Sequence, residues 1–416
     1  MRQIDRRTCL PLLAAGCLML GAPAGFAESA PGITDTSITL GTSASISGPA
    51  AAVGMVTAGI ELKFSAVNAD GGVKMGDGKT RKIDFVIADD AGEPPRTVAN
   101  TRRLAEQSGV FAFVGVPGTA QNQAVRQYIN QRQIPSIFVY ASVYEFGDEA
   151  RNPWIIGSMP SFTTEAAIYA EYLKQVRPEA KVAALYINTD FGANFMAGFN
   201  AGIAGSKITV VGTQACGAAD PTVDTQMTNL KASGADTLLI ATAPKQGTQA
   251  IRFAGESGWK PLTMITFAAS SKVSLAPAGV QNMQGIITGQ FIKPIESPTY
   301  AQDSGVKAYE ADYDRFKPRF QKGDALGQMG YTIGEAAIYV LQAMKQPTRQ
   351  AMMDAARNMD GVTASLLLPG IKMTTKAGVD GFPIESMQLF QFSGDNYQPI
   401  GPVMSYEGRT PKIELK

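Results

Sequence analysis

KVAALYINTDFGANFMAGFNAGI, residues 181–203, decides the fold class. Val182 to Ile187 is a continuous apolar run, Asn188-Thr189-Asp190 a tight polar turn, and Phe191-Gly192 opens an amphipathic segment. An apolar run before a Gly-bearing turn and a helix is the pattern of a strand–helix unit in a parallel sheet. Such a unit sets an aromatic ring and the unpaired N–H groups of a helix start at the carboxyl edge of the sheet, where open α/β folds bind ligands.

The same rhythm runs toward the N-terminus. Residues 38–42 read as a strand feeding the small-residue loop 43–53, SASISGPAAAV, and a helix to about Asn68. A loop of that composition suits a ligand wall made of backbone. Residues 83–88 form the next strand; Asp89 and Asp90 at its end read as helix-start charge on a solvated rim, and Glu93-Pro94-Pro95 opens a helix to Gln107. Residues 111–116 form a strand that leads through Pro117-Gly118-Thr119-Ala120-Gln121 into a helix ending at Arg132. Thr119 stands where an N-cap or a ligand-facing hydroxyl would stand, two roles with one geometry. Residues 134–139 end at Tyr140-Ala141-Ser142-Val143-Tyr144, where each tyrosine either flanks an apolar ligand or packs on a neighbouring helix.

Between 154 and 162 the rhythm breaks at Asn-Pro-Trp, Gly157 and Met-Pro, the mark of a crossover into a second lobe. There it restarts, with helix 163–176, the unit at 181–203, strand 208–213, helix 223–232, strand 237–241, helix 246–257 and strand 262–267. Residues 286–291 read as a second crossover, followed by helices 304–316, 326–344 and 348–359 and a terminal hairpin pairing 387–392 with 397–399. The expected fold is therefore α/β: two doubly wound parallel-sheet lobes joined by several hinge crossovers. The expected divisions are 1–27 as a signal peptide, 28–157 plus 291–385 as lobe one, and 158–290 plus 386–416 as lobe two. Several hinge strands in place of one linker suit a cleft that opens and shuts.

The signal-peptide reading rests on Arg2, Arg6 and Arg7, an apolar stretch 10–20 and Gly25-Phe26-Ala27 before Glu28. Arg6-Arg7 also matches the twin-arginine route in part, and Cys17 after Ala-Ala-Gly matches a lipoprotein site in part. Removal of that segment leaves 389 of the 416 residues, more than one core usually supports. It takes three Arg and one Asp from the chain's 37 basic and 36 acidic residues, leaving 34 and 35. That balance offers no basic stripe for nucleic acid. Cys216 alone remains, so no internal disulfide forms, and it reads as a semi-buried small residue. With no histidine the chain lacks the commonest general base and metal ligand, which argues against an enzyme.

Four segments carry a resemblance: 139–148 with Phe146-Gly147-Asp148, 180–198, 220–261 (DPTVDTQMTNLKASGAD…ESGWKP) and 366–403 (LLLPGIKMTT…FPIESMQLFQF…GPV). Together they resemble the periplasmic substrate-binding proteins of branched-chain amino acid-type ABC importers, with the type I (Venus-flytrap) fold, over essentially the whole mature chain. The resemblance is nearer to a subgroup associated with aromatic or other hydrophobic carboxylates. It implies that loops like Thr119-Ala120 and Ala141-Ser142-Val143 supply donors to a ligand carboxylate, and that Phe191 caps its apolar end. Leucine-type relatives place an acid after the strand matching 262–267, to pair with the ligand's ammonium. Here that stretch reads Ala268-Ala269-Ser270-Ser271-Lys272, with Ala269 and Ser270 as wall residues and no acid. A buried ammonium without a counter-charge costs several kcal/mol. Unless Asp190 or Glu145 substitutes, a plain carboxylate is accommodated more easily than an α-amino acid.

The expectation is an exported, monomeric solute receptor, with no cofactor, no metal and no nucleic acid, that hands its ligand to an inner-membrane ABC permease. Thr119, Ser142 and Ser47 would hold the carboxylate, with Phe191 and Tyr140 or Tyr144 beside the apolar body. A ligand-sensing receptor of the same fold, feeding a chemoreceptor or kinase, is the alternative.

Overall fold

The computed structural model describes residues 30–413, so the expected signal peptide lies outside the described residues. Two sheets organise the chain. The first contains β1 (Ser37–Ala44), β2 (Val73–Lys74), β3 (Thr80–Asp89), β4 (Ala112–Val114), β5 (Ser136–Val139) and β6 (Ile155–Gly157), in the order β2-β3-β1-β4-β5-β6. The second contains β7 (Lys181–Ile187), β8 (Thr209–Cys216), β9 (Thr237–Ala241), β10 (Leu262–Ile265), β11 (Ile287–Gln290), β12 (Ser386–Ser393) and β13 (Asn396–Ser405), in the order β13-β12-β11-β10-β9-β7-β8.

Burial explains the order. Every residue of β4 and β9 is buried, and β7 is buried at all but its first residue and Tyr186, as a strand covered by helices on both faces must be. β8 alternates exposed and half-buried positions until Cys216 and lies at an edge. Strand order reverses between β1 and β4 in one sheet and between β7 and β9 in the other. Those are the switch points at which doubly wound sheets open a crevice.

Two expectations about the sheets change. Residues 286–291, read as a crossover, contain β11, whose four residues are all buried beside β10; the crossing follows it, at the Ile292–Leu367 bridge. The sheets are also not purely parallel: β2 pairs antiparallel with β3, and β12 and β13 add an antiparallel edge to β11. Asp90 departs from its reading too. It is fully buried and accepts hydrogen bonds from Ser43, Ser45 and Thr97 hydroxyls and the Gly92 N–H, so it belongs to the loop framework.

The chain passes between the sheets after β6, after β11 and before β12. The C-terminal segment fastens the third passage to the first. Glu385 accepts from the N–H groups of Gly408 and Thr410, and the Thr410 hydroxyl meets that of Thr164 at 2.8 Å. Thr164 sits in the helix Phe162–Val176, which Ser161 caps through the Thr164 N–H.

Cys216 ends β8 at 2% exposure, and burial, with Asp220 nearby, pushes its thiol up to about 12. In a chain lacking residues 1–27, the thiol is therefore expected to ignore Ellman's reagent at pH 8 and to react once urea unfolds the protein. Rapid stoichiometric reaction of the native protein would contradict this placement.

Candidate ligand-binding site

A cavity of about 270 Å³ lies where the carboxyl ends of both sheets face each other. This is near the lower end of the ~300–1,000 Å³ usual for small-molecule sites. From the first sheet it receives Ser45 and Val53 beyond β1, Pro94 beyond β3, Pro117 to Gln121 beyond β4, and Tyr140 beyond β5. The second sheet contributes Ile187, Thr189 and Phe191 around the end of β7, Ala218 beyond β8, Thr242 to Pro244 beyond β9, and Ala268 beyond β10. Met159 and Phe162 close it from the first interlobe passage.

Helix starts dominate its electrostatics. The helices Pro94–Glu106, Thr119–Arg132, Asp190–Ile203 and Pro244–Glu256 all begin at this wall, and none has a side chain capping its first turn. First-turn N–H groups lack intrahelical partners and carry the positive end of the helix dipole. Pro94 and Pro244 supply no N–H of their own, so the donors concentrate at Thr119-Ala120-Gln121 and Asp190-Phe191. Among the described residues, none that lines the cavity is charged. The rest of the wall is largely apolar, apart from Ser45, Tyr140, Thr189 and Thr242, and within it Phe191 packs on Phe162, ring centroids 4.2 Å apart at 32°.

Of the residues expected at the ligand, Thr119, Ala120, Tyr140 and Phe191 line the cavity. The others lie beside it. Ser47 spends its hydroxyl on Asp89, which also takes the N–H groups of Ile46, Ser47 and Ala91. The Ser47 hydroxyl, ahead of those N–H groups, brings that carboxyl down to about 2 against the effect of partial burial. Ser142 is buried with Ala141; its hydroxyl donates to the Met159 carbonyl at 2.9 Å and its carbonyl accepts the Phe162 N–H, so it holds the passage that carries Met159 and Phe162. Tyr144 turns to a second cleft, where its ring meets Phe382 at 5.7 Å and its N–H donates to Asn194. Asp190 starts its helix with an exposed side chain, and Glu145 does not line the cavity. Ala269 and Ser270 are fully buried one and two residues past the wall residue Ala268; Ser270 donates to the Phe267 carbonyl and accepts at its own carbonyl from Tyr397.

Several wall residues were not singled out in the sequence: Ser45, Gln121, Met159, Phe162, Thr189, Ala218 and Thr242 to Pro244. Pro244 carried a usable signal, since proline favours a first helical turn and so marks the helix start and the strand end before it. Gln121 carried none; its amide donates to the Gly92 carbonyl at 2.8 Å, a tertiary contact.

The turn after β10, where an ammonium partner was sought, meets a carboxylate from behind. Glu165 accepts from the Phe267 N–H at 2.6 Å, the Thr266 hydroxyl at 2.8 Å and the Tyr169 hydroxyl at 2.9 Å. It is buried, lies off the cavity wall, and serves the chain's own donors. Burial raises it to about 7 in spite of those hydrogen bonds.

A family model described as periplasmic binding protein matches residues 37–397. The chain is 24% identical over 244 residues to the Leu/Ile/Val-binding protein homolog 3 of Brucella melitensis biotype 1, a match spanning 58% of this chain and 63% of that relative. Among solved structures it resembles a fatty acid ABC transporter substrate-binding protein from Thermomonospora curvata, with TM-score 0.79 and 19% identity over 92% of this chain and 97% of the other. It also resembles a branched-chain amino acid ABC transporter protein from Thermus thermophilus with bound valine, with TM-score 0.80 and 15% identity over 90% and 97%. At such identities those structures speak for the fold, as two mixed α/β sheets facing a cleft do. No helix among the described residues is long and apolar enough to cross a membrane. The chain belongs to the periplasmic binding proteins, with the two-lobed type I fold.

Proposed function

We propose that this protein is the extracytoplasmic solute receptor of an ABC importer and captures a small carboxylate with a hydrophobic or aromatic body between its lobes. The lobes divide near residues 157, 290 and 385, and closure brings the ends of β1 and β4 against those of β7 and β9. One observation carries the reading: uncapped helix starts converge on a largely apolar cavity whose wall, among the described residues, has no charged side chain. The anion is held by backbone N–H groups of Thr119 and Ala120 and by the Thr119 hydroxyl, while Phe191 and Phe162 flank its body. Among the described residues no acid lines the wall to receive an α-ammonium, and the buried Glu165 is already committed. The ligand's differential affinity for the closed state drives closure, and the closed form is what a membrane permease would receive.

A thermal-shift comparison on ligand-stripped protein tests this. Benzoates, phenylpropanoids and medium-chain acids are expected to raise the melting temperature by several degrees, since a ligand at 100 times its Kd adds about 2.7 kcal/mol. Leucine, valine and phenylalanine are expected to give no shift. Stabilisation by the amino acids and not by the plain acids would sink the carboxylate reading.

A further inference from the structure

We propose that the ligand carries, besides its carboxylate, a second and neutral oxygen (a hydroxyl, ether or carbonyl), and that the Tyr140 phenol is the group that reads it. The proposal rests on the carboxylate reading of the cleft and narrows it.

Tyr140 lines the cavity at 6% exposure, yet its hydroxyl is buried with no hydrogen-bond partner among the described residues. Other buried tyrosines are served: the Tyr169 hydroxyl lies within hydrogen-bond distance of Glu165 and the Ile265 carbonyl and accepts the Gly289 N–H, Tyr397 donates to the Ser270 carbonyl, and Tyr309 to the Lys322 carbonyl. A buried polar atom left unpaired is costly, so one carried by a residue of the cavity wall points to a partner that arrives from outside.

The backbone ahead of it is deformed to place it. β5 carries an extra residue between Ser136 and Val139 relative to β6, and Phe138 within that bulge holds φ at +53°, a conformation uncommon for a bulky side chain. Bulges beside binding sites re-aim the side chains that follow. The Tyr140 main chain is meanwhile fixed to the helix start: its carbonyl accepts the Gly118 N–H at 3.1 Å and its N–H donates to the Val116 carbonyl at 3.0 Å.

The electrostatics select the partner. Burial first, then the nearby carboxylates of Glu165 and Asp324, raise the phenol's pKa, so it stays protonated and able to donate. The anionic end of the ligand goes to the Thr119-Ala120 N–H groups, and what meets Tyr140 is an uncharged acceptor.

Matched acids decide the matter: 3-phenylpropionate against 3-(4-hydroxyphenyl)propionate, and octanoate against 8-hydroxyoctanoate, titrated calorimetrically into wild type and Tyr140→Phe. The hydroxylated member of at least one pair is expected to bind wild type about tenfold more tightly or better. In Y140F that preference should fall below about threefold. Unliganded Y140F should melt no lower than unliganded wild type, because no internal hydrogen bond is removed. Equal affinities in wild type, a preference that survives Y140F, or an unliganded variant melting several degrees lower would each overturn the Tyr140 assignment and leave the carboxylate reading standing. No binding by any of the four acids would overturn both.

Discussion

Replacing Gly330 with valine is expected to destabilise the protein by about 3 kcal/mol, the upper part of the range for overpacking a core. The helices Met55–Ala69 and Ala325–Ala343 cross at their glycines. A Cβ built on Gly330 would fall inside the van der Waals envelope of the Val56 carbonyl, and one on Gly59 would strike the Gly327 carbonyl. Both obstacles are backbone, so no side-chain rotation relieves them. A Cβ on Gly334 would meet the Lys63 Cβ and Cγ, with the Ile60 carbonyl only at ordinary contact distance, so alanine there should cost less than valine at 330. Urea unfolding of G330V and G334A would show the contrast. Equal midpoints would mean that the two helices can separate at little cost, against the backbone contact described.

Glutamine at position 165 is expected to stabilise the protein relative to wild type as pH rises. Burial raises the folded-state carboxyl to about 7 from 4.5, so the folded protein holds this proton more tightly than the unfolded chain does. Its contribution to stability is fully present below about pH 4.5 and is lost as pH climbs through 7. The interval corresponds to roughly 3 kcal/mol. Glutamine keeps the shape and does not titrate, so the difference between E165Q and wild type should move by about that amount in favour of glutamine between pH 4 and pH 8. Asp324 and Glu385 are also raised by burial, but they titrate in both proteins and cancel. Parallel pH profiles from urea midpoints would refute the assignment. Leucine at 165 should be worse at every pH, since the Thr266 hydroxyl and the Phe267 N–H lose their acceptor while the Tyr169 hydroxyl keeps the Ile265 carbonyl. The turn they anchor carries Ala268, so its ligand affinity should fall as well.

The strand–helix alternation was legible because each unit encodes its own periods: an apolar run for a strand covered on both faces, then spaced apolar residues for a helix. β7 and the helix after it appear within a residue or two of where 181–203 places them. β2 has two residues and left no pattern, and β11, Ile287-Thr288-Gly289-Gln290, has a single apolar side chain and no strand period to separate it from a connection. The site was legible to the level of the strand end and no further. Thr119 and Phe191 follow directly from helix starts, whereas Ser142 and Ser270 sit in the expected loops but turn into the protein. A shift of one residue separates Ala268 at the wall from Ala269 in the core. Asp90 was misread because its hydroxyl donors Ser43 and Ser45 come from a strand end more than forty positions away.

The two terminal strands β12 and β13 complete the sheet that β7 begins, and the helix Ala325–Ala343 completes the lobe that β1 begins. Neither half can bury its full core until most of the chain is available: the first still takes Met352, Met353 and Ala356 from the helix Arg349–Ala356, and the second waits for residue 405. Until then β11 presents an unpaired edge, the sort of surface on which chains aggregate. Pairings of such long sequence separation make folding slow. A chain emerging from a membrane N-terminus first would spend that interval incomplete and in need of protection. Truncation before β12 should therefore cost the fold of the second lobe as a whole, well beyond the loss of a terminal hairpin.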